Sequence, residues 1–462
     1  MVPSVGFKKV VLLMGDTAAL VAALVIAIAI RYPARFPEAD IVRLHIVPFG
    51  ALFFLWLLVF YIYNLYDLRH VENSVTFFSM ALQAFVLNAL VAIAFFYFNP
   101  YASITPRTVL FVDLVFSALF FGAWRAVFNR TLATKLATRT ALIGTSAPML
   151  ALARELEEHP ALGYRISCFV TDAPFVLPQY LAHIPVVASA ALQHLNTDAG
   201  SISLPPIDSI VLDKNPNQAP ERALALFALI GTKVSFHTLP AFIEQVFQKI
   251  PLSEISESWF LENLQEGEKQ FGERIKRFMD LIGAIVVGAL TLPLMALAAL
   301  GIKLEDGRDA LYTQTRVGRR GKPFQLLKFQ SMMESAEEAG PRWTTKDDPR
   351  VTRFGSLLRS TRLDELPQLW NVLVGDLSFM GPRPERPEFV RQLEKDIPFY
   401  NIRHLVRPGL SGWAQINKPL HSVTESYEKL EYDLYYIKNR SLALDTAIAL
   451  KTVSIILRRK GR

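Results

Sequence analysis

The N-terminal part of the chain alternates between long apolar stretches and short polar connections. Apolar stretches cover residues 10–30, 45–63, 78–98 and 109–128, and each has the ~20 residues that a helix needs to cross a ~30 Å hydrocarbon layer. The first stretch lacks the small-residue cleavage site of a signal peptide, so we interpret it as a retained membrane helix. The pattern predicts a four-helix transmembrane bundle over residues 1–136.

Charged residues predict how this bundle is oriented. Asp16 and Asp113 interrupt apolar stretches, and lipid tolerates a carboxylate only where it faces the bundle interior or lies near the rim. Basic residues are denser on one side, and the positive-inside rule then places both ends of the bundle in the cytoplasm. The denser side carries Lys8, Lys9, Arg69, Arg125, Arg130, Lys135 and Arg139, and the other side carries Arg31, Arg35, Arg43 and Arg107.

After the bundle, strand and helix patterns alternate as in a βαβ unit, which predicts a Rossmann-like cytosolic domain over residues 137–250. Dinucleotide binding needs three glycines at the first turn, but Gly144 is followed by Ser146 and Met149 at the other two positions. A scaffold or regulatory role is therefore favoured, and nucleotide binding is the alternative. The predicted elements are a strand that leads to Gly144, a helix over 148–158, strands over 164–171, 207–212 and 233–237, and a helix over 221–230.

A fifth apolar stretch covers residues 278–302, after a polar linker over 251–272, and contains Asp280 and Pro293. Basic residues flank both ends, so both ends favour the cytoplasmic face, and proline bends a helix. We predict a re-entrant helix that turns near Pro293 and leaves by the side it entered; a proline-kinked spanning helix is the alternative. The basic residues are Lys276 and Arg277 before the stretch and Lys303, Arg308, Arg316, Arg319, Arg320 and Lys322 after it.

The composition agrees with a membrane protein, because 51% of the 462 residues are hydrophobic, too many for an all-soluble chain. The formal net charge of +7 comes without any recognition-helix, zinc or RNA-binding signature, so no nucleic-acid partner is predicted. Anionic lipid and diphosphate substrates explain the charge more simply. A single cysteine, Cys168, excludes an intramolecular disulfide and agrees with a reducing compartment.

Two adjacent carboxylates, Asp364 and Glu365, lie among arginines between residues 359 and 388. A carboxylate that attacks a phosphorus atom must approach a group of its own charge sign, so cations have to hold the phosphate oxygens. Arginine suits this task because its fork matches phosphate geometry. The alternative is a solvated, salt-bridged helix face without chemistry.

The surrounding motifs favour the chemical interpretation, because their order and spacing over residues 272–462 closely resemble the bacterial sugar transferase family, the monotopic polyprenyl-phosphate sugar-phosphate transferases. The motifs are Lys328-Phe-Gln-Ser-Met, Asp348-Pro-Arg-Val-Thr, Asp364-Glu-Leu-Pro-Gln-Leu-Trp-Asn-Val-Leu, Gly381-Pro-Arg-Pro-Glu, Arg407-Pro-Gly-Leu-Ser-Gly-Trp-Ala-Gln and Tyr432-Asp-Leu-Tyr-Tyr-Ile-Lys. The resemblance implies a mainly α (α+β) catalytic domain over residues 273–462, with the same re-entrant helix, in the bacterial inner membrane and facing the cytosol.

The resemblance also implies the reaction: transfer of a hexose 1-phosphate from a UDP-sugar to polyprenyl (undecaprenyl) phosphate, which initiates exopolysaccharide or O-antigen assembly. Asp364 matches the family's nucleophile, which forms a covalent phosphosugar, and Glu365 is its dyad partner. A Mg²⁺ ion near the two carboxylates would be held by few protein ligands and by substrate oxygens.

Four further residues match functional positions of the family: Lys328, Arg359, Arg383 and Asp445. The resemblance implies that the three cations hold phosphates and that Asp445 orients one of them or a metal-bound water. Arg407 is an additional substrate-binding candidate, and Trp413 is expected to pack in the core rather than stack on a nucleobase.

The chain departs from the family pattern at two places. Gln330 stands where the family usually places Arg, and residues 305–315 replace the usual Ser-Pro-Gly-Pro run. Both departures affect the expected substrate preference and leave the dyad intact. Glucose or galactose is favoured as the transferred sugar, N-acetylhexosamine stays open, and a homodimer through the bundle or the middle domain is plausible.

Two other classes of protein compete with this interpretation. Membrane-bound nucleotide-sugar dehydratases share the four helices and the Rossmann-like domain, but their hydride chemistry needs a Tyr-x-x-x-Lys pair and the sequence contains none. A non-catalytic scaffold or sensor would use the middle domain to bind a metabolite. The joint presence of Asp364, Glu365, Lys328, Arg359 and Arg383 argues against a decayed transferase.

Overall fold

The computed structural model describes residues 5–67, 75–98, 107–132, 137–189, 207–213, 234–264, 270–333, 348–417 and 423–457. The chain divides into two compact units, Met1–Val246 and Phe247–Arg462. The finer division predicted from the sequence, with boundaries at 136, 250 and 272, stays a prediction.

The first unit begins with long apolar helices, as predicted. Each of the first four has the length and composition to cross a membrane. Side chains such as Phe54 and Phe111 are exposed on their outer faces, at 70% and 69%, whereas Leu20, Phe49 and Trp56 form the bundle core. The four helices are α1 (Val5–Arg31), α2 (Ala39–Ile62), α3 (Val75–Phe98) and α4 (Arg107–Val127).

The bundle buries a salt bridge that corrects one sequence interpretation. Asp16 and Asp113 are both 0% exposed, so both face the interior as expected. The Arg125 guanidinium binds the Asp16 carboxylate at 2.6 and 3.1 Å and the Leu65 carbonyl at 2.6 Å. Arg125 and Lys8, which we counted among the flanking charges, are each 1% exposed. Arg125 therefore pairs with Asp16 in the interior of the bundle, whereas the buried Lys8 ammonium has no hydrogen-bond partner among the described residues.

An α/β region completes the first unit and contains the predicted parallel sheet. Its strand order is β3-β2-β1-β4-β5, and every neighbouring pair is parallel. Ala141, Cys168 and Ile210 lie in its apolar core. The predicted helix over 221–230 lies outside the described residues. The elements are β1 (Thr138–Ile143), α5 (Ala147–Glu158), β2 (Tyr164–Val170), β3 (Val186–Val187), β4 (Ser209–Leu212), β5 (Ser235–Thr238) and α6 (Leu239–Phe247).

The turn between β1 and α5 is closed by a carboxylate from the end of β4. Gly144 adopts φ +117°, and a Cβ there would lie 2.4 Å from the Asp213 side chain, so the turn requires glycine. Asp213 accepts hydrogen bonds from the Ser146 amide at 3.0 Å and from its hydroxyl at 2.6 Å. The Ser146 hydroxyl in turn accepts from the Met149 amide and caps α5.

The described residues of the second unit are mainly helical and contain one antiparallel strand pair, β6 with β7, and one short parallel pair, β8 with β9. Its elements are α7 (Glu257–Asn263), α8 (Gln270–Asp306), β6 (Leu311–Val317), β7 (Pro323–Phe329), α9 (Arg353–Ser360), α10 (Gln368–Val374), β8 (Ser378–Met380), α11 (Pro387–Asp396), β9 (Gly409–Ser411), α12 (Trp413–Asn417), α13 (Val423–Asn439) and α14 (Leu442–Leu457).

Part of the segment predicted as a linker contributes to the core of the second unit. The Phe260 ring lies 4.7 Å from the Phe399 ring, measured between centroids, and Leu252 belongs to the same apolar cluster. Trp413 is 4% exposed in this cluster, and its indole N–H donates to the Gln248 carbonyl at 2.9 Å. Trp413 is therefore a core residue, as predicted.

The fifth apolar stretch lies within helix α8, which continues through Pro293. Ala284 packs with Leu369 and Leu377 on the second unit, whereas Ile302 packs with Phe329 and Leu358. Polar contacts hold both halves as well: the Asp280 carboxylate accepts from the Phe379 amide, and Glu305 accepts from the Phe354 amide. One face of α8 is thus packed on the second unit along most of its length. The side chains of Leu290, Leu292, Leu297 and Leu300 are 76%, 63%, 63% and 53% exposed.

Candidate active site

Asp364 and Glu365 lie in a single helical turn, Leu363–Glu365, that connects α9 to α10. Thr352 starts α9 by accepting a hydrogen bond from the Gly355 amide at 2.9 Å, and the left-handed backbone of Arg362, at φ +61°, separates this helix from the turn. Pro367, which has no amide proton, precedes α10. Local backbone chemistry therefore projects two consecutive carboxylates from a tight connection between two short helices.

The Asp364 carboxylate is buried, at 9% exposure, and its Oδ1 atom has no hydrogen-bond partner among the described residues. Burial and the neighbouring charge of Glu365 raise the pKa of Asp364 to about 6, against the opposing charges of Arg359, Lys328 and Arg362. A buried carboxylate that is surrounded by cations but lacks a hydrogen-bond donor of its own is available to a ligand.

Glu365 is held by two arginines and differs from Asp364 in this respect. Its Oε1 atom accepts from Arg383 at 3.2 Å and from Arg362 at 3.4 Å. Burial alone would raise the Glu365 pKa, but the charges of Arg383 and Arg362, with Lys328 behind them, hold the pKa below its ordinary value. The pair therefore contains one carboxylate that two arginines hold and one whose Oδ1 atom has no hydrogen-bond partner among the described residues.

Lys328 reaches the dyad from β7, where it pairs with Tyr312 of β6. Its Nζ atom lies 5.0 Å from the centre of the Tyr312 ring, in a cation–π contact. Burial, reinforced by the positive charge of Arg316, lowers the Lys328 pKa to about 8, while Asp364 raises it. The altered segment 305–315 thus supplies part of the strand that supports Lys328.

Arg383 lies in the loop between β8 and α11, and this loop is tightly packed. A Cβ at Gly381 would lie 2.4 Å from the Arg407 carbonyl oxygen, so only glycine fits there. The Arg383 carbonyl accepts a hydrogen bond at 3.0 Å from Arg403, which is itself paired with Asp433 at 2.9 Å. These contacts fix the backbone from which the Arg383 side chain reaches Glu365.

The structure brings four of the seven predicted site residues and one of the arginines beside them, Arg362, around Asp364, and among the described residues it shows no contact of the other two with the dyad. Asp445 pairs with Lys276 at 2.8 Å and with the Tyr436 hydroxyl at 2.8 Å, so its described partners are not the dyad. The Arg407 side chain is half-buried and makes no hydrogen bond or ion pair within the described ranges. The predicted residues near Asp364 are Glu365, Lys328, Arg359 and Arg383.

Gln330 does not replace the cation that the family usually has at this position. Its side-chain amide donates to the Met332 carbonyl at 3.1 Å, and the Arg308 guanidinium donates to the same carbonyl at 2.8 Å. Arg308 belongs to the altered segment 305–315. Gln330 and a residue of the altered segment therefore donate to the same backbone oxygen, that of Met332.

Sequence reasoning missed several residues that support the site. Tyr312 and Arg316 lie in β6 and share one face, because strand side chains alternate; the run Leu311–Val317 does not alternate apolar and polar residues, so it gave no clear strand signal. Arg316 is held by the Gln314 side chain at 2.7 Å and the Pro384 carbonyl at 3.1 Å. Arg403 and Asp433 carried no local signal, because their pairing joins residues 30 positions apart in the chain.

Residues 271–459 match the family described as bacterial sugar transferase. The UDP-N-acetylgalactosamine-undecaprenyl-phosphate N-acetylgalactosaminephosphotransferase of Aeromonas hydrophila is 46% identical over 187 residues, which are 40% of this chain and 44% of that protein. A putative undecaprenyl-phosphate N-acetylgalactosaminyl 1-phosphate transferase of Bacillus subtilis is 51% identical over 28% of this chain and 72% of its own length.

A UDP-glucose:undecaprenyl-phosphate glucose-1-phosphate transferase of Caulobacter vibrioides is 44% identical over 39% of this chain and 69% of that protein. The match therefore spans less than half of the Aeromonas relative and more than two thirds of the other two. The fold and the site define a membrane-associated transferase with a carboxylate dyad. The chain belongs to the bacterial sugar transferase family, and the resemblance seen in its motifs is confirmed.

Proposed function

We propose that this protein transfers a sugar 1-phosphate from a UDP-sugar to undecaprenyl phosphate through a covalent phosphosugar on Asp364. One observation carries the proposal: the Asp364 Oδ1 atom is buried beside Lys328 and Arg359 and has no hydrogen-bond partner among the described residues. The named activities of the three relatives support the same overall reaction.

The reaction takes place in two displacements at one phosphorus atom. An Asp364 oxygen attacks the phosphorus next to the sugar, the bond to the bridging oxygen breaks, and uridine monophosphate leaves with that electron pair. An oxygen of undecaprenyl phosphate then attacks the same phosphorus, and the Asp364 carboxylate is regenerated. The products are undecaprenyl diphosphate sugar and uridine monophosphate, and the route predicts ping-pong kinetics.

The surrounding cations supply charge stabilisation. Lys328 and Arg359, whose charges act on Asp364, would hold the non-bridging oxygens of the attacked phosphate while negative charge develops. Arg383 and Arg362 hold Glu365 ionised and in place. The low pKa of Glu365 and the high pKa of Asp364 assign different tasks to the two neighbours.

The dyad is also a suitable place for Mg²⁺. The free Oδ1 atom of Asp364 is an orphaned, hard oxygen donor, and carboxylate oxygens are ligands that Mg²⁺ prefers. In the described ranges no three His, Cys, Asp or Glu side chains form a closed metal cage. Asp364 and Glu365 would hold it, and the ion would neutralise charge on the diphosphate.

We also propose that α8 is re-entrant and keeps the catalytic domain at the cytosolic face of the inner membrane. The contacts at Asp280 and Glu305 are separated by ~38 Å of helix at 1.5 Å per residue, which exceeds the ~30 Å hydrocarbon layer. A spanning helix would place these two ends on opposite sides of the membrane, yet both pack on one unit. An oblique or bent path within one leaflet satisfies both contacts.

Cysteine labelling tests this path. In a Cys168→Ser background we would introduce Arg274→Cys and Lys303→Cys, one near each end of α8, with Arg43→Cys as the control on the predicted outer side. A membrane-impermeant maleimide should label both α8 positions only in inverted vesicles, and the control only in intact cells. Labelling of the two α8 ends from opposite sides would establish a spanning helix.

The donor and the nucleophile are tested together. Purified protein is incubated with undecaprenyl phosphate, Mg²⁺ and UDP-glucose, UDP-galactose, UDP-N-acetylglucosamine or UDP-N-acetylgalactosamine, and release of uridine monophosphate is measured. One donor should react, because the named relatives differ in the sugar they transfer. Asp364→Asn should abolish release and the exposed Asp396→Asn should not. No release from any donor by folded protein would favour a non-catalytic scaffold.

A further inference from the structure

We infer that Asn371 is a positioning residue that sets the distance between Lys328 and Asp364; this role rests on the proposed function. Asn371 lies in α10, which starts three residues after Glu365, and it is 4% exposed. Asn371 falls within the motif that begins at Asp364, but the motif by itself assigns it no role. Its hydrogen bonds indicate one.

Both atoms of the Asn371 amide bind the backbone of β7. Its Oδ1 accepts from the Leu327 amide at 3.0 Å, and its Nδ2 donates to the Gln325 carbonyl at 2.7 Å. The two partners fix the orientation of the amide, because an N–H needs an acceptor and a carbonyl needs a donor. Leu327 immediately precedes Lys328.

The Asn371 amide binds the edge of β7 at which a neighbouring strand would otherwise pair. Within the described residues, β7 pairs only with β6, so its other edge presents backbone groups that need partners. The residues on either side of Leu326 present an N–H and a C=O on that edge, and the Asn371 amide binds this pair as a neighbouring strand would. Leu326 itself packs against Leu369 and Val372 of α10.

The two hydrogen bonds of the Asn371 amide connect the part of the site that carries the dyad to the strand that carries Lys328. The element that carries the dyad continues into α10, and α10 is joined through Asn371 to the strand that carries Lys328. An apolar residue could fill the same volume but could not fix the strand along its own direction, because dispersion contacts are not directional. Loss of the amide should therefore let β7 shift along α10 and move Lys328 relative to Asp364.

Steady-state and single-turnover release of uridine monophosphate test this role in Asn371→Ala, with Asn417→Ala as the control. Asn417 lies in the same unit, and its amide donates to the Trp413 carbonyl at 2.9 Å. We expect kcat of Asn371→Ala to fall ~100-fold, the loss typical of a reacting group displaced by ~1 Å, while KM changes less than threefold. The control should keep both values.

A double-mutant cycle with Lys328→Met separates positioning from general destabilisation. If Asn371 acts through Lys328, Asn371→Ala should have little further effect on the single-turnover rate in the Lys328→Met background. Equal losses in both backgrounds, or an unchanged kcat in Asn371→Ala, would overturn the positioning role while leaving the reaction established. A wild type that releases no uridine monophosphate would overturn both.

Discussion

Two aspartates of this protein, one half-buried and one buried, differ in whether the fold supplies hydrogen-bond partners for their carboxylates. Asp213, at the end of β4, binds the amide and the hydroxyl of Ser146 at 3.0 and 2.6 Å. Asp364, in the second unit, keeps its Oδ1 atom without a hydrogen-bond partner among the described residues, beside the charges of Arg359 and Lys328. The first carboxylate is satisfied by the fold, and the second is left for a ligand.

The contrast indicates which unit does chemistry. Rossmann-like folds bind phosphate at the first helix N-terminus, beside the point where the strand order reverses. Here that point lies between β1 and β4, and Asp213 already occupies the anion position with a charge of the same sign as phosphate. The second unit instead surrounds with cations a carboxylate whose Oδ1 atom has no hydrogen-bond partner among the described residues, an arrangement typical of a ligand site.

The largest effect on activity should appear when the carboxylate of Asp364 is replaced by an amide, and the same replacement at Asp213 should have little effect. Asp364→Asn should lower uridine monophosphate release at least ~1,000-fold, because an amide oxygen is a poor nucleophile and the covalent step is lost. Asp213→Asn should keep the wild-type rate within threefold. Comparable losses in both variants would remove the functional distinction between the two sites.

A smaller loss of activity should follow from a substitution that changes the shape of a cationic side chain and keeps its charge. Arg383→Lys keeps the positive charge near Glu365 but loses the planar fork, so kcat/KM should fall ~10-fold. The exposed Arg391→Lys on α11 is the matched control and should be neutral. An active Arg383→Lys variant would mean that charge alone matters at this position.

Asp213 should affect the stability of the fold and not the rate of the reaction. Asp213→Ala removes two hydrogen bonds from a charged acceptor and leaves the Ser146 amide unpaired, which should lower the free energy of unfolding by about 1–2 kcal/mol. Thermal unfolding followed by fluorescence measures this loss, and the rate of sugar-phosphate transfer should stay unchanged. Binding of NAD⁺ or ADP-ribose to the wild-type chain at micromolar concentration would contradict a closed anion position.

The sequence predicted helices and strands better than it predicted contacts between side chains. Apolar length located the bundle helices because lipid imposes a fixed thickness, and alternating patterns located the parallel strands around Gly144. The dyad was found because Asp364 and Glu365 are neighbours in the chain. The Arg125–Asp16 pair, the amide of Asn371 and the Arg403–Asp433 pair could not be predicted, because each depends on the packing of distant segments.

The partners of Asp445 could not be predicted for the same reason. A motif match carries over a position but not the partners that surround it, and here Lys276 and Tyr436 take the Asp445 carboxylate. Its role in the reaction stays a prediction. The Tyr436 hydroxyl also donates to the Met380 carbonyl at 3.0 Å, three residues before Arg383.

Asp364 should also affect stability, and the effect has the opposite sign to that at Asp213. Burial and the charge of Glu365 raise the Asp364 pKa from its ordinary 3.8 to about 6. The folded protein therefore binds this proton more tightly than the unfolded chain, so the ionised carboxylate destabilises the fold at pH 7 and protonation relieves the destabilisation between about pH 6 and pH 4.

Asp364→Asn should consequently melt at a higher temperature than wild type at pH 7 in the presence of EDTA. The difference in Tm should narrow as the pH falls through 6 and vanish near 4, where the wild-type carboxylate is neutral as well. The exposed Asp396→Asn should show no such narrowing. A constant or growing difference would mean that Asp364 is satisfied by the fold, as Asp213 is, and the contrast between the two units would fail at its physical basis.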